Sequence, residues 1–431
     1  MGNVICGDSG ISSRVKQWRG LPRVFFGLAA LSMVLVLPGC ATFSVSVSQM
    51  EKAAANRDLD GALKALDNLK LSGADEALHH LNKGTLLRLQ GNYAESNRHF
   101  DEAKRLMEKF NAISVTEQFA SFAVNDTMKA YEGLPSEQLM VYAFEALNYL
   151  QSGDVEGAAV EARQFDVKQR LIAEKNNANY LSGAFVRYLN SMVYESAGEK
   201  DEARIEMESA VAGYKAQDSF PVPKGLADDL KRRSAGKSAP SEAVFILHNG
   251  LGPTLSEVVV HVVNPQPDSG PAVFSLAVPK FARRSEPVAR VVLSSEGFSA
   301  TSEIVEDVND IAERSLKDRL PIIIARGVAR MVAKSVAVNE AKKKGGTLAG
   351  LFTNIVTTVS ERADTRSWSM LPANILMARL PLTAGTHDLT ATYYSASGSV
   401  LETHEFKDVV VKSGRKAFVT DYFINPPSRA Q

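Results

Sequence analysis

The sequence predicts an α+β multidomain protein: an N-terminal α-solenoid of paired helices, then a β-sandwich-like domain with an inserted helical pair. Three observations predict it. From Ser48 to Tyr214 apolar residues recur at helical spacing, prolines are few, and a short pattern repeats. From Ala243 onward, short apolar or alternating runs are bounded by Asn, Gly, Pro and Ser, as strands and turns are. Between these runs, from Glu303 to Arg362, the period returns to that of helices.

The repeat carries the first half. Arg57-Asp58-Leu59-Asp60-Gly61-Ala62 is followed by Leu66 and Leu69. Thirty-four residues later, Gly91-Asn92-Tyr93-Ala94-Glu95-Ser96 is followed by Phe100 and Ala103. This period resembles the tetratricopeptide repeat (TPR). Gly84 stands seven residues before Gly91, where a small side chain lets two paired helices approach, and Tyr93 is read as capping their turn. Gly153-Asp154-Val155 with Ala158 and Ala162, and Gly198-Glu199-Lys200 with Ala203, Met207 and Ala210, repeat the pattern at offsets of 62 and 45 residues. Leu134-Pro135-Ser136-Glu137 marks a loop and a helix start within the longer interval. Residues 50–215 are therefore read as a TPR-like helical domain packed at Gly84, Gly91, Tyr93, Gly153, Ala158, Gly198 and Ala203. A plain helical bundle with accidental Gly-x-Tyr turns competes with this reading. Stacked helical pairs leave a concave face suited to a peptide or a partner protein. His79, His80 and His99 are read as ordinary histidines, because neighbours in a helix point to different faces.

Pro221, Pro223 and Pro240, with Lys231-Arg232-Arg233, mark 216–241 as a linker. Residues 242–425 form the β-rich domain. Strands are expected at Ala243–Leu247, Val258–Val263, Ala272–Val278, Ala289–Leu293, Ile375–Leu382, Leu389–Tyr394, Val400–Phe406, Val409–Val411 and Ala417–Tyr422. The insert, 303–362, should hold a helix from Glu303 to Lys344, restarted or kinked at Pro321, and a second from Thr347 to Arg362. Arg326, Arg330 and Lys334 fall four apart and would form one basic stripe, read as a solvated face or a set of internal salt bridges, with contact to anionic lipid or polymer as the lesser reading.

The start of the chain reads as a leader, not as part of a fold. Arg14, Lys16, Arg19 and Arg23 precede an uncharged apolar run from Val24 to Gly39, shorter than the ~20 residues of a membrane span. The run ends in Leu37-Pro38-Gly39-Cys40, which resembles the lipobox of bacterial lipoproteins. That resemblance implies a signal peptide over 1–39, a lipid on the Cys40 thiol and a tether over 40–49. Ala41, rather than Asp, follows the cysteine, which by the sorting rules of such lipoproteins favours the outer membrane. The chain has two cysteines, Cys6 and Cys40, so cleavage and acylation would leave no thiol for a disulfide or a zinc site. With 49 basic and 49 acidic residues, the balance argues against nucleic acid as a partner.

Ala146-Leu147-Asn148-Tyr149-Leu150 with Val160-Glu161-Ala162-Arg163, Asn249-Gly250 with Pro253, and Asp364-Thr365-Arg366-Ser367-Trp368 with Leu371-Pro372 and Arg379 resemble a family of Gram-negative tetratricopeptide lipoproteins without a settled activity. Asp364, Arg366, Trp368 and Arg379 could form a surface cluster, with a guanidinium fork for a carboxylate and an indole plane for a sugar. The favoured alternative is a latch, in which Asp pairs with Arg and the Trp fills a seam between helix and sheet. No His-Glu-x-x-His, Gly-x-Ser-x-Gly or Walker pattern is present, so the chain is read as a non-enzyme without a cofactor other than the covalent lipid. The expectation is an interaction adaptor facing the periplasm, held on the outer membrane by Cys40, with an envelope protein in its helical groove. The alternatives are a C-terminal module that binds or acts on peptidoglycan, and a structural subunit of an envelope complex.

Overall fold

The computed structural model describes residues 47–425 except 70, 114–128, 176–177, 265–271 and 333–361. Cys40, the leader, Lys334 and the helix expected over Thr347–Arg362 lie outside the described residues. What is described is an α+β fold. Its first half is four successive helical hairpins: α1 Ser48–Ala55 with α2 Leu59–Asp67, α3 Glu76–Leu89 with α4 Tyr93–Ile113, α5 Pro135–Gln151 with α6 Val155–Lys175, and α7 Ala184–Ala197 with α8 Lys200–Gln217.

One local rule shapes all four. Each pair turns on a residue in the left-handed region: Arg57 (φ 58°), Gly91 (80°), Gly153 (78°) and Gly198 (85°). A helix commonly ends this way, and glycine does so without strain. The return helix is then capped where an aspartate is at hand, Asp58 accepting from Gly61 N at 2.8 Å and Asp154 from Gly157 N at 2.8 Å. In the last three pairs a small buried residue stands seven before the turn and another five after it: Gly84 and Ser96, Ala146 and Ala158, Ser191 and Ala203. At Gly84 the reason is direct contact. A Cβ there would run into the Phe100 ring, and Ser96 Oγ donates to the Gly84 carbonyl at 2.7 Å. Tyr93 opens α4 and its hydroxyl reaches Gln151 Oε1 at 3.4 Å.

Within 216–241 the chain forms a further helix, α9 Lys224–Ser234. Its basic run is not wholly solvated: Arg232 pairs with Glu195 at 2.8 Å and with Asp229 at 3.2 Å.

A four-stranded sheet has the order β10–β1–β7–β6, from β1 Glu242–Asn249, β6 Glu303–Asp307, β7 Asn374–Pro381 and β10 Lys416–Phe423. β1 runs parallel to β10, with Glu242 opposite Lys416, and antiparallel to β7, with Val244 opposite Arg379. A second sheet, β5–β4–β8–β9, comes from β4 Arg290–Ser295, β5 Phe298–Thr301, β8 Gly385–Tyr394 and β9 Val400–Val411. β2 Thr254–Asn264 and β3 Ala272–Ala282 pair as a hairpin.

The first sheet is a middle layer. Val244, Ile246, Ile375 and Met377 share one apolar core with Leu78, Phe144 and Tyr188 of the hairpins. Ala243, Phe245 and Leu247, on the other face of β1, share a second core with Val291, Leu293, Leu389, Ala391 and Tyr393 of the other sheet. A strand covered on both faces needs apolar residues at every position, which is why Ala243–Leu247 shows no alternation.

Three local readings change. Glu303–Asp307, expected to be helical, is strand β6, and the helical period starts at residue 308. Pairing of Glu303 and Ile304 with Met377 and Leu376 on β7 overrides the local pattern. Residues 308–332 (α10) stay helical through Pro321. Arg326 is exposed but Arg330 is buried, so these two do not share a solvated stripe. The two strands expected over Val400–Val411 are one, interrupted by Asp408 at φ 56°. α10 packs Met331, Ile323 and Val328 onto Leu276 and Val278 of β3, and Gly327 leaves the room that the Leu276 side chain fills.

Candidate functional site

Two places concentrate polar groups between the hairpins and the middle sheet. The first is a strap. Residues 362–368 have no regular structure and cross the faces of α3 and α5. Trp368 is 1% exposed. Its ring meets Phe100 and Phe144 edge-on at 5.7 and 5.5 Å, and its Nε1–H donates to Thr85 Oγ1 at 3.0 Å. Side chains of the hairpins hold the strap's backbone. Glu137 Oε1 accepts from Trp368 N at 2.8 Å, and Asn82 Oδ1 accepts from Met370 N at 3.1 Å and Ser369 Oγ at 3.0 Å. The other oxygen of Glu137 takes the Tyr131 hydroxyl and Leu134 N. Burial raises the Glu137 carboxyl pKa in spite of these donors.

Arg366 anchors the strap's near end. It donates to Asp364 Oδ2 at 2.7 Å and to Asp75 Oδ1 at 3.1 Å, and its guanidinium lies 5.6 Å from the Tyr131 ring centre. Asp364, Arg366 and Trp368 are thus brought together, with the indole buried against helices. Arg379 has other partners. From β7 it donates to Glu242 Oε1 at 2.5 Å, Asp229 Oδ2 at 2.6 Å, Tyr188 Oη at 2.9 Å and the Gly225 carbonyl at 3.0 Å. Lys416 reaches the same Glu242 at 3.3 Å and also pairs with Glu195. These charges tie α7 and α9 to β1, β7 and β10.

The second place is a recess where α3 and the start of α4 meet β1 and β10. It measures about 50 Å³ and is lined by Arg88, Leu89, Tyr93, His248, Thr420, Asp421 and Tyr422. Arg88 is 3% exposed. Its Nη1 donates to Asn148 Oδ1 at 2.7 Å, and its guanidinium stands 5.6 Å from the Phe144 ring centre. Its Nε finds no acceptor, and no carboxylate among the described residues is within ion-pair reach of it. Burial pushes its pKa down to about 10. His248 is 4% exposed and stacks on Phe144 at 4.8 Å, with its Nε2 also unpartnered. Burial first, and the Arg88 charge second, hold its pKa well below the usual histidine value, so the ring is neutral.

On the outer side of Asp421 lies a denser cluster. Asp421 Oδ2 accepts from the Tyr393 hydroxyl and faces His404 Nδ1, while Oδ1 accepts from Tyr422 N at 2.8 Å and Arg57 Nη1 at 3.4 Å. His404 Nε2 faces Glu402 Oε1 at 2.6 Å. Arg57 also donates to the Tyr422 carbonyl at 3.1 Å and lies 4.6 Å from the Tyr422 ring centre.

Sequence reasoning missed these residues. Glu402 and His404, two apart on a strand, share a face, and His248 continues the Val244–Ile246 face of β1; both follow from period two. Nothing local distinguishes Arg57 from a turn residue or Arg88 from a helix-surface cation. Elsewhere, His79 reaches Asp67 at 3.5 Å and His80 turns to His99, Nδ1 to Nδ1 at 2.8 Å. Among the described residues no group of three or more His, Cys, Asp or Glu is placed to hold a metal ion. No described helix is long and apolar enough to cross a membrane.

Compared with protein-family models and with curated proteins, this chain finds no match.

Proposed function

We propose that this chain is a lipid-anchored envelope protein that works by binding other molecules, as an adaptor on the periplasmic face of the outer membrane. The anchoring half rests on Leu37-Pro38-Gly39-Cys40 after a basic and then an apolar segment. The first described residue, Val47, is fully buried and only seven residues beyond Cys40.

The binding half rests on the strap. Asn82, Thr85 and Glu137 grip the backbone and indole of an extended segment, as a helical-repeat face grips a peptide. The hairpins, read as TPR-like, spend that face on their own chain and on the sheets, read as sandwich-like. A partner would then use the outer helices. α6 exposes Val160 (48%), Val167 (57%) and Leu171 (50%), and α8 exposes Ile205 (50%). We rank the glycan-binding alternative lower, because Trp368, its stacking plane, is buried against Phe100 and Phe144.

Two measurements test this. Metabolic labelling with a radioactive fatty acid should mark the wild-type chain and not Cys40→Ala; equal labelling would remove the anchor. A photo-crosslinker placed at Val167 or Ile205 in living cells should capture one recurrent envelope protein, and one placed at the exposed Val400 of β9 should not. Capture of no protein from either helix would remove the adaptor reading.

A further inference from the structure

The recess between Arg88 and His248 has the chemistry of a binding site. A guanidinium removed from water needs an opposite charge or a full set of acceptors, and leaving it without them is strongly unfavourable. Arg88 has one side-chain acceptor, Asn148 Oδ1, and one aromatic face, Phe144. The other buried cations of the seam are fully paired: Arg379 holds two carboxylates, and so does Lys416. Arg88 is the exception, and it borders the recess together with a second unpartnered polar atom, His248 Nε2.

The nearest acid does not fill the gap. Asp421 lines the recess, but both of its oxygens are taken, by Tyr422 N and Arg57 on one side and by Tyr393 and His404 on the other. Its charge is directed to the outer cluster. Tyr93 and Thr420 add hydroxyl-bearing side chains to the lining.

We propose that this recess binds a carboxylate group, with Arg88 as its countercharge and the His248 imidazole as a hydrogen-bond partner. Three observations select that class. A guanidinium matches a carboxylate in shape and in donor geometry. A space of about 50 Å³ takes a few water-sized groups, which suits a head as small as the three atoms of a carboxylate. A single uncompensated positive charge beside the Asp421 carboxylate favours a monoanion over a dianion. The carboxylate could belong to a small free acid or to the C-terminus of a peptide whose body stays outside. The inference is independent of the lipid anchor and of the adaptor reading.

The test uses the full chain in detergent, with ring-labelled histidine followed by NMR and melting followed in parallel. Sodium acetate should shift the His248 ring signals and raise the melting temperature, and acetamide, its neutral counterpart, should do neither. A tripeptide with a free C-terminus is compared with its amide. If the free acid binds more tightly than acetate and the amide is silent, the site takes a chain end; acetate binding without the peptide assigns it to small acids. Arg88→Met should weaken acetate at least tenfold, with Arg88→Lys between that and wild type. Should Arg88→Met fail to fold, His248→Gln and the wild-type contrast of acetate with acetamide still decide. No response of His248 to any carboxylate, or equal binding by Arg88→Met and wild type, overturns the proposal.

Discussion

Arg57 stands where Gly91 stands one repeat later, in the same left-handed backbone, and its guanidinium reaches Asp421, 364 residues further along the chain. A side chain in that region strains the backbone by about 1 kcal/mol relative to glycine. At the other three hairpin turns glycine avoids that strain. The first hairpin accepts it and gains a cation that joins the turn to β9 and β10.

Replacing Arg57 separates the two effects. Arg57→Ala loses the contacts to Glu402, Asp421 and the Tyr422 carbonyl and keeps the strain, while Arg57→Gly loses the contacts and relieves it. Urea unfolding should place Arg57→Gly above Arg57→Ala by about 1 kcal/mol. The reverse order would mean that the turn is not strained.

Gly84 and Gly91 need to be glycine for different reasons, and alanine at each should show it. A Cβ at Gly84 meets the Phe100 ring, so Gly84→Ala should cost about 1–3 kcal/mol through overpacking. At Gly91 nothing stands in the way and only φ objects, so Gly91→Ala should cost about 1 kcal/mol. Adding Phe100→Leu should rescue the first variant and not the second, by thermal denaturation.

Trp368 carries the strap. Trp368→Ala should destabilise by about 3–5 kcal/mol, and Trp368→Phe, which keeps a ring but loses the bond to Thr85, by considerably less. Limited proteolysis of Trp368→Ala should cut near the strap before the helices. Cleavage elsewhere first would show that Arg366, Asn82 and the backbone bond to Glu137 hold the strap without the indole.

Glu306 gives the fold a basic limit. Burial first, and the neighbouring Asp307 charge second, push its carboxyl pKa up to about 8. The folded state thus holds a proton that the unfolded chain releases near pH 4.5. Its contribution to stability is complete below pH 4.5 and is lost as pH rises through 8, at about 1.4 kcal/mol for each pH unit crossed between the two. Glu306→Gln should remove this slope, matching wild type in acid and exceeding it above pH 8. Parallel pH profiles of wild type and variant would show that Glu306 is ionised in the fold.

Local chemistry carried much of the architecture. The turn glycines, the small residues beside them and the aspartate caps act over a few residues, so four helical hairpins can be read from spacing. The strands of the β-rich half follow from apolar runs between turn residues, and β1 declares its double burial by lacking alternation. Exceptions arise where a distant partner outweighs a local preference, as at Glu303–Asp307, which reads as helix and pairs with β7.

The sequence by itself determined where the chain turns, most of the stretches that are helix or strand, and which residues are too apolar for water, because those depend largely on neighbours in the chain. Only the tertiary structure decided what the polar residues do. The Asp364-to-Trp368 stretch becomes an internal strap, Arg379 locks α9 to β1, and Arg88 and His248 meet across 160 residues beside a small recess. Burial and partnership are properties of the packed whole. The same arginine is a solvated surface residue or an unpaired interior cation, depending on a strand that follows it much later in the chain.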